Sequence, residues 1–183
     1  MGSLVVRENT RRQRYDKKLK IAKKYPISLC AINFRVDDNL GYLVRSAACF
    51  GAECVHVIGS LPSRKDINPA SGTLYDYVKI RRYDTPQDFL DYAKSNSIQI
   101  ISAEIDEIAE PLPSYNFNFD CHLTLVVGNE HSGIPSEIMA NSDVVYIEMP
   151  GVGYCLNTAQ AANILLYEAS RQYTEQSLIP AAD

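Results

Sequence analysis

An α/β domain built on a mostly parallel sheet, with helices on both faces, is what this sequence predicts. Three observations carry that expectation. Short apolar runs alternate with amphipathic stretches along the whole chain, the order of a repeated βα unit. The runs are apolar throughout rather than at every second residue, the pattern of strands buried on both faces. Finally, 183 residues with 46% hydrophobic and 22% charged side chains suffice for one domain with a sizeable core and argue against wholesale disorder.

Taken in order, residues 12–24 predict a basic helix with Leu19 and Ile21 as sparse apolar anchors, ended by Pro26. Ile27 to Asn33 is a buried strand. Asp37 or Asp38 caps the next helix, where Leu40, Leu43, Val44 and Ala47 form one apolar stripe and Gly51 closes the end. Cys54–Ile58 is a strand. Gly59 to Ala70, with Pro62 and Pro69, is expected to be loop, followed by a short helix over 71–77 and a strand from Val78 to Tyr83. Thr85 and Pro86 open a helix that presents Phe89, Leu90 and Ala93 on one face. Ile98–Ala103 is a strand and 107–121, with Pro111 and Pro113, a loop. Leu123–Val127 is a strongly apolar strand running into Gly128. Ile134–Ala140 is a short helix, Val144–Ile147 a strand, Pro150–Tyr154 a Gly-rich loop and Asn157–Tyr173 the last helix. The expected organisation is a basic arm over 1–24, one α/β domain over 25–175 and a polar tail over 176–183.

Charge is distributed unevenly. Residues 1–24 hold nine basic and two acidic side chains, a net +7, which leaves −11 for the rest and −4 overall. A basic arm on an acidic body points to an anionic partner for the arm. No apolar run reaches the roughly 18 residues of a membrane helix, and no apolar segment of a secretory signal follows the basic start. Five cysteines, an odd number with no C-x-x-C, predict reduced thiols and a cytoplasmic protein. Cys49, Cys54 and His56 lack a zinc spacing, so no metal is expected.

Three segments that follow strands carry unusual residues, and in open α/β sheets ligands bind at the carboxyl ends of strands. The first, Asn39 to Gly51, holds Gly41 and Arg45. Glycine inside a helix costs about 1 kcal/mol against alanine, so Gly41 implies a close backbone approach. The second, Val126 to Pro135, places Asn129, Glu130 and His131 between Gly128 and Gly133, a loop open to a ligand. The third runs from Ile147 through Met149, Gly151, Cys155 and Leu156 to Asn157, which can cap the last helix.

In order, spacing and residue type these segments resemble the SpoU (TrmH-like) branch of the SPOUT methyltransferases. Asn39, Gly41, Arg45, Ser46 and Gly51 match the family's first motif, and Gly128, Glu130 and Gly133 its second. Ile147, Met149, Gly151, Leu156 and Asn157 match its third, with Cys155 in place of the family's serine. The resemblance implies a C-terminal trefoil knot and transfer of a methyl group from S-adenosylmethionine to a ribose 2′-hydroxyl of tRNA or rRNA. It also implies a homodimer formed through the knot region. The cofactor would be held through Gly128, Ile147 and Leu156, with Val127, Asn129, Gly133, Met149, Gly151 and Cys155 around them. Arg45, Asn39, Glu130 and Asn157 would form the catalytic set. On this reading Arg45 pairs with a phosphate beside the target ribose, with Glu130 as the alternative base. Arg11, Arg12, Arg14, Lys17, Lys18 and Arg45 would meet the RNA backbone. The alternatives are a catalytically inactive RNA-binding relative, a relative that methylates an RNA base, and a small-ligand α/β module.

Overall fold

The computed structural model describes residues 10–178. Arg7 and Glu8 of the expected arm, and residues 179–183 of the expected tail, lie outside them. The strands are β1 (Ile27–Ile32), β2 (Cys54–Ile58), β3 (Lys79–Tyr83), β4 (Gln99–Ala103), β5 (Glu110–Pro111), β6 (Leu123–Val127) and β7 (Asp143–Tyr146). The helices are α1 (Arg11–Leu19), α2 (Asp37–Phe50), α3 (Arg64–Ser71), α4 (Pro86–Ser95), α5 (Ser136–Met139) and α6 (Thr158–Gln176). All seven strands lie in one sheet of order β3-β2-β1-β6-β4-β7-β5, with every strand pair parallel.

Period-two alternation sorts the apolar strands onto two cores. Leu29, Ala31, Leu125 and Val127 face α2, α3 and α6. Cys30, Ile32, Ile58 and Val126 face Phe89 and Ala93 of α4 and Ile138 of α5. Helices therefore cover both faces, as the unbroken apolar runs require. The order of strands reverses between β1 and β6, so the chain leaves their carboxyl ends in opposite directions and opens a crevice there.

Several elements depart from the sequence expectation. α1 stops at Leu19, well before Pro26, and its expected anchors are exposed (Leu19 53%, Ile21 81%). A capping box between Thr10 and Gln13 starts it, and Tyr15 ties it to the body through the Gly72 carbonyl at 3.2 Å. Neither Asp37 nor Asp38 caps α2: its N-cap is Val36, without a side-chain cap bond.

The segment expected to be loop up to Ala70 contains α3, with Pro69 inside it. The proline forgoes one helical hydrogen bond, but burial of Ile67, Ala70 and Ser71 outweighs local propensity. The expected helix over 71–77 is only a 3-10 turn at Tyr75–Tyr77. Gly41 is where α2 and α3 touch. A Cβ there would sit 2.6 Å from the Ala70 Cβ and 2.8 Å from the Ile67 carbonyl oxygen. The close approach implied by glycine is thus made by a helix.

The expected loop 107–121 supplies the edge strand β5 and buries Leu112, Tyr115 and Phe117. Gln172 of α6 pins it, accepting from the Phe117 amide at 3.1 Å and donating to the Tyr115 carbonyl at 2.9 Å.

Candidate active site

The three unusual segments meet at the crevice. Glu130, just past β6, reaches back to the loop after β1. Its carboxylate accepts from the Arg35 amide at 2.9 Å, the Val36 amide at 3.4 Å and Asn39 Nδ2 at 2.7 Å. It thereby satisfies two amides that precede α2 and ties the β1–α2 loop to the end of β6; Asp37 and Asp38 lie inside the helix rather than at its cap. Asn39, buried in the first turn of α2, uses its other amide atom to accept from Asn157 Nδ2 at 3.0 Å. Asn157 also caps α6, its Oδ1 accepting from Ala159 and Gln160 at 2.9 and 3.3 Å. A single hydrogen-bonded chain, Glu130–Asn39–Asn157, joins residues drawn from all three segments. Burial pushes the Glu130 carboxyl up, but the bonds from Arg35, Asn39 and Val36 outweigh it and its pKa is lowered.

The second segment closes on itself before it meets anything else. Asn129 and Gly133 exchange backbone hydrogen bonds at 3.0 and 3.1 Å. The two glycines abut so closely that a Cβ on Gly128 would overlap Gly133, and Gly133 has φ of +66°. Asn129 donates to the Asn33 carbonyl and accepts from the His131 and Ser132 amides, so it staples the loop to the end of β1. Thr158 Oγ1 donates to the Gly128 carbonyl at 2.9 Å, bringing the start of α6 onto the end of β6. His131 is exposed.

In the third segment Ile147 and Met149 are half-buried, whereas Gly151, Cys155 and Leu156 are exposed. Among the described residues, the backbone of 148–156 makes no hydrogen bond to other backbone. Nothing lies within 4 Å of where side chains on Gly151 and Gly153 would begin. Bare amides and carbonyls beside the apolar Leu156 and Met149 suit a ligand with an adenine ring, polar ribose and an amino-acid end, so the residues fit S-adenosylmethionine.

Arg45 is not held by the two asparagines. It is exposed and shares with Asn39, Tyr42, Ser46 and Asn157 a cleft of about 680 Å³ between α2 and α6. Its guanidinium lies over Gly72. Sequence reasoning missed the bonds linking Glu130 to the β1–α2 loop and Gly72 as the neighbour of Arg45. Neither has a local signal. Thr10 and Gln13 did carry one, the capping-box spacing. Among the described residues no cluster of three or more potential metal ligands occurs, and no helix is long and apolar enough to cross a membrane.

A wholly parallel sheet with a polar network at its strand-order reversal, facing a bare Gly-rich loop, is the arrangement of an α/β enzyme that binds a small cofactor. The chain belongs to the SpoU rRNA Methylase family, whose model matches residues 26–167. It is 23% identical over 172 residues to the tRNA (guanosine(18)-2′-O)-methyltransferase of Escherichia coli, covering 89% of this chain and 74% of that one. It is 29% identical over 141 residues to the 23S rRNA (uridine(2479)-2′-O)-methyltransferase of Streptomyces viridochromogenes, covering 73% and 48%. Among solved structures, the Aquifex aeolicus TrmH/SpoU tRNA modifying enzyme superposes with a TM-score of 0.77 at 23% identity, over 93% of this chain and 90% of that one. An AdoMet-bound rRNA methyltransferase from Sinorhizobium meliloti gives 0.75 at 22% identity, over 84% and 59%. These two share the fold.

Proposed function

We propose that this chain transfers a methyl group from S-adenosylmethionine to a ribose 2′-hydroxyl of tRNA or rRNA. The observation that carries the reading is the Glu130–Asn39–Asn157 chain, which links the three family segments and borders the cleft that holds Arg45. When bound, the cofactor supplies an electrophilic sulfonium methyl, so the protein's work is to position and to aid proton loss. The cofactor site is assigned to the ends of β6 and β7 and to the 147–157 loop: Val127, Gly128, Asn129, Gly133, Ile147, Met149, Gly151, Cys155 and Leu156.

Arg45 pairs through its guanidinium fork with the phosphate flanking the target ribose and stabilises negative charge developing on the 2′-oxygen. Glu130 is assigned to holding α2 and Asn39 in place rather than to taking the proton. Both its oxygens already accept hydrogen bonds, and its lowered pKa makes it a weaker base. Asn39 and Asn157 fix the relative position of α2 and α6, the two walls of the cleft. Cys155, a poorer donor than the family's serine, would contribute to the cofactor loop without a strong side-chain hydrogen bond.

The arm over 1–24 meets RNA phosphates through Arg11, Arg12, Arg14, Lys17 and Lys18, the domain over 25–175 is catalytic, and 176–183 is tail. A knotted C-terminal segment, a homodimer and a cytoplasmic location complete the reading. Exposed Ile164 and Tyr167 on α6 support the dimer, as does a groove of about 700 Å³ that Tyr167 lines.

The test is transfer of labelled methyl from S-adenosylmethionine to separate tRNA and rRNA pools from cells lacking the protein, followed by digestion to nucleosides. Label on a ribose is expected. Label on a base, or none in either pool, overturns the reading.

A further inference from the structure

β4 stands between β6 and β7, and its last residue, Ala103, is level with Val127 on one side and Val145 on the other. The chain leaves the strand at Glu104, whose amide donates to the Val145 carbonyl at 3.1 Å. A molecule that touches both the loop after β6 and the segment after β7 must therefore pass over the end of β4. The residues assigned above to the cofactor come from the two outer strands, and none from the middle one.

Glu104 is half-buried, and its carboxylate reaches the second segment. One oxygen accepts from the Ile134 amide at 3.3 Å and stands 2.7 Å from where a Cβ on Gly133 would begin. The other accepts from the Ile105 amide at 3.1 Å. A bond on each oxygen fixes the plane of the carboxylate beside Gly133, itself one of the residues assigned to the cofactor. Among the described residues no lysine, arginine or histidine pairs with it. Each carboxylate oxygen has two lone-pair sites, so each keeps one for a further donor.

We propose that the Glu104 carboxylate takes the ribose hydroxyls of S-adenosylmethionine. The proposal rests on the methyltransferase reading above. A cis-diol presents two O–H donors side by side, which suits the two oxygens of one fixed carboxylate. The ribose is also the middle of the cofactor, between the adenine and the amino-acid end, as β4 is the middle of the three strands. In dinucleotide-binding sheets an acidic side chain takes ribose hydroxyls by the same chemistry. Glu104 then holds the cofactor by its sugar, and the bare backbone of 148–156 is left for the rest of it.

Isothermal calorimetry with S-adenosylhomocysteine and its 2′,3′-dideoxy analogue tests it on the full chain, unaltered and as Glu104→Gln. A hydrogen bond to a charged group is worth about tenfold or more in affinity, so the unaltered chain should bind the dideoxy analogue about tenfold or more weakly. Glu104→Gln should bind S-adenosylhomocysteine about tenfold more weakly and should separate the two ligands by less than about threefold. The ratio of the two affinities is the readout, because a side chain that merely shapes the loop weakens both ligands alike. A ratio near one in the unaltered chain, which needs no substitution, overturns the role of Glu104. So does a ratio that Glu104→Gln leaves unchanged. Glu104→Asp keeps a carboxylate and should keep part of the ratio; a ratio as low as that of Glu104→Gln speaks against the diol contact.

The diol is common to S-adenosylmethionine and S-adenosylhomocysteine, so Glu104→Gln should weaken both by the same factor, to within about threefold. A loss confined to the sulfonium ligand overturns the assignment to the ribose. Failure of the wider reading looks different. An unaltered chain that binds neither ligand overturns both proposals. Equal binding of the two homocysteine ligands, with methyl transfer to RNA intact, removes only the role of Glu104. Discrimination that Glu104→Gln abolishes, with no transfer to any RNA, would keep that role and sink the methyltransferase reading.

Discussion

Replacing Gly41 with alanine places a methyl group where α2 and α3 leave no room for one. The Cβ would stand 2.6 Å from the Ala70 Cβ and 2.8 Å from the Ile67 carbonyl oxygen, and neither is the free end of a flexible side chain. α3 must therefore shift as a body, against the burial of Ile67, Ala70 and Ser71. Overpacking of this kind costs about 1–3 kcal/mol, and the gain in helix propensity returns about 1. The expected net loss is up to about 2 kcal/mol, or up to roughly 8 °C in melting temperature for a chain of this size. Urea and thermal unfolding followed by circular dichroism measure it. Because α3 carries Pro69 and ends at Gly72 beside Arg45, RNA binding should weaken while S-adenosylmethionine binding persists. A Gly41→Ala chain more stable than the original would refute the reasoning.

Three further outcomes are expected. Arg45→Lys keeps the charge but loses the bidentate fork, so methyl transfer should fall about tenfold or more with cofactor affinity intact; near-normal turnover would remove the phosphate-pairing role. Asn39→Ala leaves Glu130 without one donor and Asn157 without its acceptor, which should cost about 1–3 kcal/mol in urea unfolding and depress transfer; a stability change below about 0.5 kcal/mol would show that the chain is not structural. His56 is 1% exposed, and burial first, then the charge of Arg81, lowers its pKa to about 3. Below its usual 6.5 the unfolded chain takes up a proton that the folded chain refuses, so stability falls with pH from there towards 3. The loss is about 1.4 kcal/mol per pH unit, or about 2.7 kcal/mol by pH 4.5. His56→Phe should flatten that part of the stability–pH curve, and parallel curves would exclude His56 as its source.

The strands and the larger helices were legible because their signals are local. β1 and β6 are unbroken apolar runs, α2 carries its stripe at helical spacing with Gly51 closing it, and α4 has a threonine cap with proline behind it. α3 was hidden because Pro69 argues against a helix and only burial beneath α2 overrules it. The anchoring of the β1–α2 loop was hidden for a related reason. Asp37 and Asp38 have the right chemistry nearby, but the carboxylate that reaches the Arg35 and Val36 amides belongs to Glu130, more than ninety residues on. The residues of the candidate site were legible as types in ordered segments; their partners were not.

What the sequence determined by itself is what spacing and composition encode: a parallel α/β domain, the three motif segments, and a basic arm that a net charge of −4 conceals. Only the tertiary structure decided which groups bond to which. Glu130 turned towards the β1–α2 loop, the asparagines paired with each other and left Arg45 open, and the arm lay against Gly72. The physical reason is range. Propensity and periodicity act within a few residues, whereas these contacts are chosen by sheet order and helix packing, which bring distant segments to one crevice and satisfy there the polar groups that the chain leaves open locally.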